Sequence, residues 1–241
     1  MKLCTIVPLN QKEWMNDRPY TMLLAHLSKA ERSYGRWASQ LNSYKIMDNS
    51  IIELGEAFTL EDLLKQASAC HAQEIILPDV FQDGKATIEL AKQSYQKIKN
   101  SPYKNKFKLM VVCHGKTEKE IINNFHALES CDWVDTIGMP KVITSWGNRN
   151  QFQDLYMKTR KEVHYLGCWN SFKEIEEIKD KPVFQKIRTM DTCLPALLSI
   201  QGKKWNEERD HSYTIDLIKD NVPKKAYKKI MEELKDNLGL E

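Results

Sequence analysis

Three aspartates stand directly behind apolar runs: Asp48 after YKIM, Asp79 after EIILP and Asp191 after KIRTM. Any one of them is explained as a helix cap or an Asx turn. Three together are harder to explain that way. Parallel strands closed into a barrel carry their reactive groups at the C-terminal strand ends, so acids at several such ends meet on one rim. Crowded carboxylates titrate apart, leaving one ionised as a nucleophile while another handles protons. Glycosidic bond cleavage uses that division: one acid attacks the anomeric carbon and the other serves the leaving group. Gly115 in VVCHGK and Gly138 in TIGMPK mark two further run ends where a flat ligand could approach the backbone. His114 either exchanges hydrogen bonds with such a ligand or packs as a structural residue. Trp146, Arg149 and Trp169 follow later runs, where they would stack on bases or bind phosphate unless the tryptophans belong to the core.

These residues need a scaffold, and the chain repeats one pattern. Short apolar or β-branched runs occur at 3–7, 21–27, 44–48, 74–79, 107–113, 133–138, 163–167 and 184–191, although TMLLAHL (21–27) could equally begin a helix. Amphipathic stretches separate several of them. LEDLLKQASA follows Thr59, whose hydroxyl can cap it, with Asp62 at the third position. Residues 85–100 and 118–128 carry apolar side chains at helical spacing, and 172–178 forms a shorter charged helix. Alternation of this kind predicts βαβ units and a parallel sheet, and eight units in one domain favour a closed (β/α)8 barrel of the TIM type. The whole of 1–241 is then one domain, with its core at about 1–202 and a C-terminal loop and helix at 203–241. The Lys/Glu-rich stretch 224–238 reads as a helix with a solvated face.

Composition narrows the class further. Hydrophobic residues at 41% suffice for a core, and a net charge of +3 is far below that of a protein that coats DNA. Six cysteines lie scattered without a C-x-x-C pair, so free thiols are expected, in a reducing cytoplasm. No stretch approaches the ~18 apolar residues of a membrane span.

The order of the run-end motifs is informative in itself. MDNSIIELGE (47–56), LPDV (77–80), VVCHG (111–115), IGMPK (137–141), HYLGCWN (164–170) and RTMDTCLP (188–195) resemble, in sequence, the strand-end motifs of tRNA-guanine transglycosylases. The similarity is closer to the short phage relatives that insert 7-deazaguanines into DNA, and it spans roughly residues 44–200. The resemblance implies that Asp191 is the nucleophile, that Asp48 handles the proton, and that Asp79 reads the base. It places His114, Gly115, Gly138, Asn49, Leu166 and Gly167 around that base. It implies no metal and no cofactor, a DNA (or tRNA) substrate, a 7-deazaguanine base such as the 7-cyano form, and a host cytoplasm if the chain is phage-encoded; an oligomer is compatible with it. There are departures. His114 stands for a glutamine, Ser50 for a glycine and Met139 for the second glycine of an I-G-G motif. The family's zinc cluster is missing, since no cysteine follows Cys193. That absence favours DNA over tRNA. The alternatives are a tRNA transglycosylase without the zinc module, a hydrolase of N-glycosidic bonds on the same barrel, and a barrel that has become a binding protein.

Overall fold

A computed structural model describes residues 1–141 and 148–240. Trp146 therefore lies outside the described residues. Among those described, eight strands form one parallel sheet: β1 (Lys2–Thr5), β2 (Tyr20–Leu24), β3 (Tyr44–Asp48), β4 (Glu74–Ile76), β5 (Lys108–Val112), β6 (Thr136–Pro140), β7 (Glu162–Leu166) and β8 (Ile187–Thr192). The ladder runs β1-β8-β7-β6-β5-β4-β3-β2, and β1 comes back to lie beside β2. The chain is a (β/α)8 barrel, as its alternating pattern predicts.

Helices cover the outside: α1 (Ala25–Ala30) and α2 (Arg32–Gln40), α3 (Ile51–Leu54) and α4 (Leu60–Ala69), α5 (Gly84–Lys99), α6 (Glu118–Glu129), α7 (Gln153–Lys158), α8 (Lys173–Glu176) and α9 (Val183–Lys186), then α10 (Leu194–Ile200) and α11 (Lys224–Leu238). Three of them start on side-chain caps. Thr59 accepts from the Asp62 amide, Asp83 from Ala86 and Thr117 from Glu120, each filling one of the orphan donors of a first turn. Between β1 and β2 the connection is a 3-10 helix, Leu9–Met15.

Several run boundaries differ from the expected ones. TMLLAHL is divided, strand to Leu24 and helix from Ala25. The first residues of FQKIRTMD are helical, because Pro182 has the fixed φ of a first turn and launches α9 before the strand. EIILPD is strand only to Ile76. Leu77 still donates to Met110, but Pro78 has no N–H with which to continue the ladder. The core also runs beyond residue 202. Tyr227, Ile230, Met231, Leu234 and Leu238 form the buried stripe of α11 and join the main core. Gln11 ties the preceding segment down, donating to Asn221 and to the Val222 carbonyl and accepting from the Val222 amide.

The barrel interior has an apolar layer of Cys4, Met22, Ile46, Ile76, Met110 and Val112. At the strand N-terminal ends lies an ion plug, in which Arg188 bridges Glu74 (2.7 Å) and Glu162 beside the rings of Tyr20 and Tyr44. The cavity at the other end therefore has a floor and does not run through.

Candidate active site

At the C-terminal mouth a cavity of about 170 Å³ is bounded by Asp48, Asp79 and Asp191 together with Glu53, His114, Leu166 and Gly167. A cavity of about 150 Å³ accepts benzene, so this one suits a single flat ring system. The three aspartates thus reach one pocket from β8, β3 and the loop after β4. Their geometries differ in ways that matter.

Asp191 takes both of its hydrogen bonds on one oxygen. Oδ1 accepts from the Gly167 amide at 3.0 Å and lies 3.0 Å from His164 Nε2, while Oδ2 receives no hydrogen bond from the described residues. Gly167 has φ +71°, and a Cβ there would come within 2.8 Å of the Trp169 indole nitrogen, so only glycine presents its N–H in this way.

Asp48 is half-buried and accepts from the Ser50 amide at 2.8 Å. Burial raises its carboxyl well above the usual range, and the Glu53, Asp191 and Asp79 charges push the same way against the Ser50 bond. Ser50 sits at φ 62°, the left-handed backbone that glycine adopts without steric cost. Its hydroxyl accepts from the His26 amide at 3.2 Å, a bond glycine could not make. Glu53 also lines the cavity, and burial of its carboxyl together with the Asp191 charge lifts it as well.

Asp79 is held on both oxygens. Oδ1 accepts from Asn49 Nδ2 at 2.7 Å, and Oδ2 shares a short hydrogen bond with His114 Nε2. Asn49 gives its other amide hydrogen to the Leu77 carbonyl and accepts from Ile51 on its oxygen. It lines the cavity as expected and supports Asp79, with both of its amide hydrogens taken inside the protein. His114 lines the cavity beside Asp79 and meets the edge of Phe81.

Three expected positions lie elsewhere. Gly115 packs against α6, where a Cβ would stand 3.0 Å from Ile121, and is not part of the cavity lining. Gly138 is also outside the lining; it lets Leu166 and Met110 close over it, since a Cβ would meet Leu166 at 2.9 Å. Arg149 is completely buried and cannot bind phosphate. It makes a two-pronged ion pair with Glu174, and its remaining hydrogens go to the carbonyls of Met139, Leu166 and Gly167. Burial alone would raise Glu174, but Arg149 and Lys141 bring it down to about 2.

His164, Glu53 and Phe81 were not singled out by sequence. His164 is a polar residue two positions before the cavity-lining Leu166 on the same strand, which is the one signal that would have pointed inward. Burial pushes the Cys193 thiol up to about 11, so this neighbour is no rival nucleophile to Asp191.

No family model matches the chain, and no curated protein matches its sequence. Among the described residues, no cluster of His, Cys, Asp or Glu could hold a metal ion, and no helix is long and apolar enough to cross a membrane.

Proposed function

We propose that the chain is a base-exchange transglycosylase that replaces guanine in DNA with a 7-deazaguanine such as the 7-cyano form. One observation carries the reading: Asp191 and Asp48 share a pocket sized for a flat ring, and the two carboxylates are held in different ways. Burial and like charges raise the Asp48 carboxyl, which favours its protonated form. Asp191 keeps an oxygen with no hydrogen bond from the described residues.

In the reaction, Asp191 Oδ2 attacks C1′ and the C1′–N9 bond breaks. Asp48 gives its proton to the departing guanine. The incoming 7-deazaguanine then loses its N9 proton to the Asp48 carboxylate and attacks C1′, and Asp191 leaves as a carboxylate. Asp79 accepts from the amidine edge of the base with the lone pairs that Asn49 and His114 leave over. Ile52, Phe81 and Trp169 line the mouth and are 54, 45 and 44% exposed. Exposed side chains of this kind suit a nucleotide drawn out of its stack.

The test is exchange of labelled guanine into duplex DNA, single-stranded DNA and tRNA, with free base release measured in parallel. Exchange into DNA that disappears in Asp191→Asn, together with a covalent nucleotide adduct in the parent protein, is the expected result. Exchange into tRNA alone would move the substrate, and base release without incorporation would make the protein a hydrolase.

A further inference from the structure

The donors around Asp191 are directional, and their direction has chemical content. We infer that His164 Nε2–H and the Gly167 N–H are a fixed donor pair for Asp191 Oδ1. The pair makes Oδ2 the atom that bonds to the sugar and stabilises the charge that returns to the carboxylate when that bond breaks. This rests on the exchange reading and assigns His164 as a positioning residue within it.

His164 is 0% exposed. Its Nδ1 lies 2.7 Å from Thr189 Oγ1, and that hydroxyl oxygen accepts from Arg188 Nε at 3.4 Å. Of the two groups that meet the Thr189 hydroxyl, Arg188 Nε can only donate, so Nδ1 is the one acceptor offered to the hydroxyl hydrogen. Nδ1 is then the acceptor and Nε2 carries the proton, aimed at Asp191 Oδ1 3.0 Å away. Every donor in the series Arg188, Thr189, His164 therefore points toward Asp191. A bulge creates the alignment: Ile187 pairs with Val163 and Thr189 with His164, so Arg188 is the extra residue and Thr189 stands across from the imidazole.

The second donor is held just as firmly. The Gly167 N–H belongs to the peptide unit whose carbonyl is that of Leu166, and the Leu166 oxygen accepts from Arg149 Nη1 at 3.0 Å. The guanidinium fixes the plane of that peptide and polarises its N–H toward Asp191.

When Oδ2 bonds to C1′, Oδ1 becomes the ester carbonyl and keeps both donors. When the incoming base attacks C1′, the electron pair of the C1′–Oδ2 bond returns to the carboxylate, and Oδ1 meets two N–H groups already in place. The donor pair thus assists departure of Asp191 more than its attack.

The experiment follows the Asp191 adduct in rapid-quench assays of His164→Leu and His164→Gln, alongside ¹⁵N spectra of the imidazole in the unsubstituted protein. In His164→Leu, adduct breakdown should slow by roughly 10²-fold, the scale of losing one oxyanion donor, while formation changes less and the adduct accumulates. His164→Gln, whose amide can donate from a similar place, should recover most of the breakdown rate. The spectra should show a neutral ring protonated on Nε2. A proton on Nδ1, or breakdown and formation slowed equally in folded His164→Leu, overturns the inference. If His164→Leu does not fold, the Gln variant and the spectra decide. Absence of any adduct in the unsubstituted protein would remove the exchange reading, and the spectra would still judge the donor pair.

Discussion

His114 Nε2 and Asp79 Oδ2 share a hydrogen bond whose two side chains are 5 and 2% exposed. With Asn49 on the other oxygen, Asp79 is held from two sides before any ligand arrives. His114→Ala leaves a buried carboxylate oxygen short of a partner, at about 1–3 kcal/mol. Thermal unfolding should register this as a Tm lower by roughly 2–4 °C per kcal/mol. Asn49→Ala should cost a similar amount. The double variant should lose less than the sum, because both residues act on one carboxylate. Strict additivity would show that they do not.

The Arg149–Glu174 pair makes a second, larger effect. Removing Glu174 leaves the buried Arg149 charge unmatched, so Glu174→Leu should cost about 3–5 kcal/mol, and Arg149→Met, which leaves Glu174 its ion pair with Lys141, should cost less. The double replacement by apolar residues should be milder than either single one, as denaturant melts would reveal. The same pair governs acid stability. The folded Glu174 carboxyl is depressed to about 2, so its contribution is present above the unfolded value of about 4.3 and is lost as pH falls toward 2. A Glu174→Gln variant should have a flatter stability profile across that window, measured by urea melts at successive pH values.

Asp48 works in the opposite sense. Its folded carboxyl is raised, so the folded chain holds that proton to higher pH than the unfolded one. Its contribution is complete below the unfolded value of about 3.9 and is lost as pH rises through the folded value. Asp48→Asn should therefore raise Tm at pH 8 relative to the parent while abolishing exchange, a gain in stability at the expense of function. Base expulsion in the parent should fall as pH rises, because the proton donor is being ionised. A Tm at pH 8 that drops in Asp48→Asn would contradict the assigned electrostatics.

Trp169 and Phe81 are exposed, so their replacement by alanine should leave stability within about 0.5 kcal/mol. If they stack on an extruded nucleotide, each change should weaken single-stranded DNA binding by about 1–3 kcal/mol. Fluorescence titration with an oligonucleotide, run beside a thermal melt, separates the two quantities. Unaltered affinity in both variants would remove the aromatic mouth from the substrate path.

The three acids were legible because each closes an apolar run, and a run followed by a carboxylate is visible in one dimension. Thr59 was readable for the same local reason. His164 was not, since its partners Thr189 and Asp191 lie 25 and 27 residues away and the bulge at Arg188 decides which of them it meets. Val163, His164 and Tyr165 are all buried, so burial does not separate the two faces of β7, and only the two-residue spacing to Leu166 points inward. Gly115 and Gly138 misled because glycine marks close approach of any kind, and here the neighbours are side chains of the protein itself. Arg149 reads as a base- or phosphate-binding group in the sequence because arginine is rarely buried without a partner, and nothing in one dimension assigns Glu174 to it.

The sheet ladder begins at β1 and ends at β2, so among the described residues the ring is joined there by proximity of the two strands and not by a strand ladder. Asp191 stands on β8, one strand to one side of this joint, and Asp48 on β3, one strand to the other. A small widening of the joint would change the gap between the Asp191 and Asp48 carboxylates without breaking a ladder bond. The packing at this seam therefore sets how far apart the two carboxylates stand across the mouth.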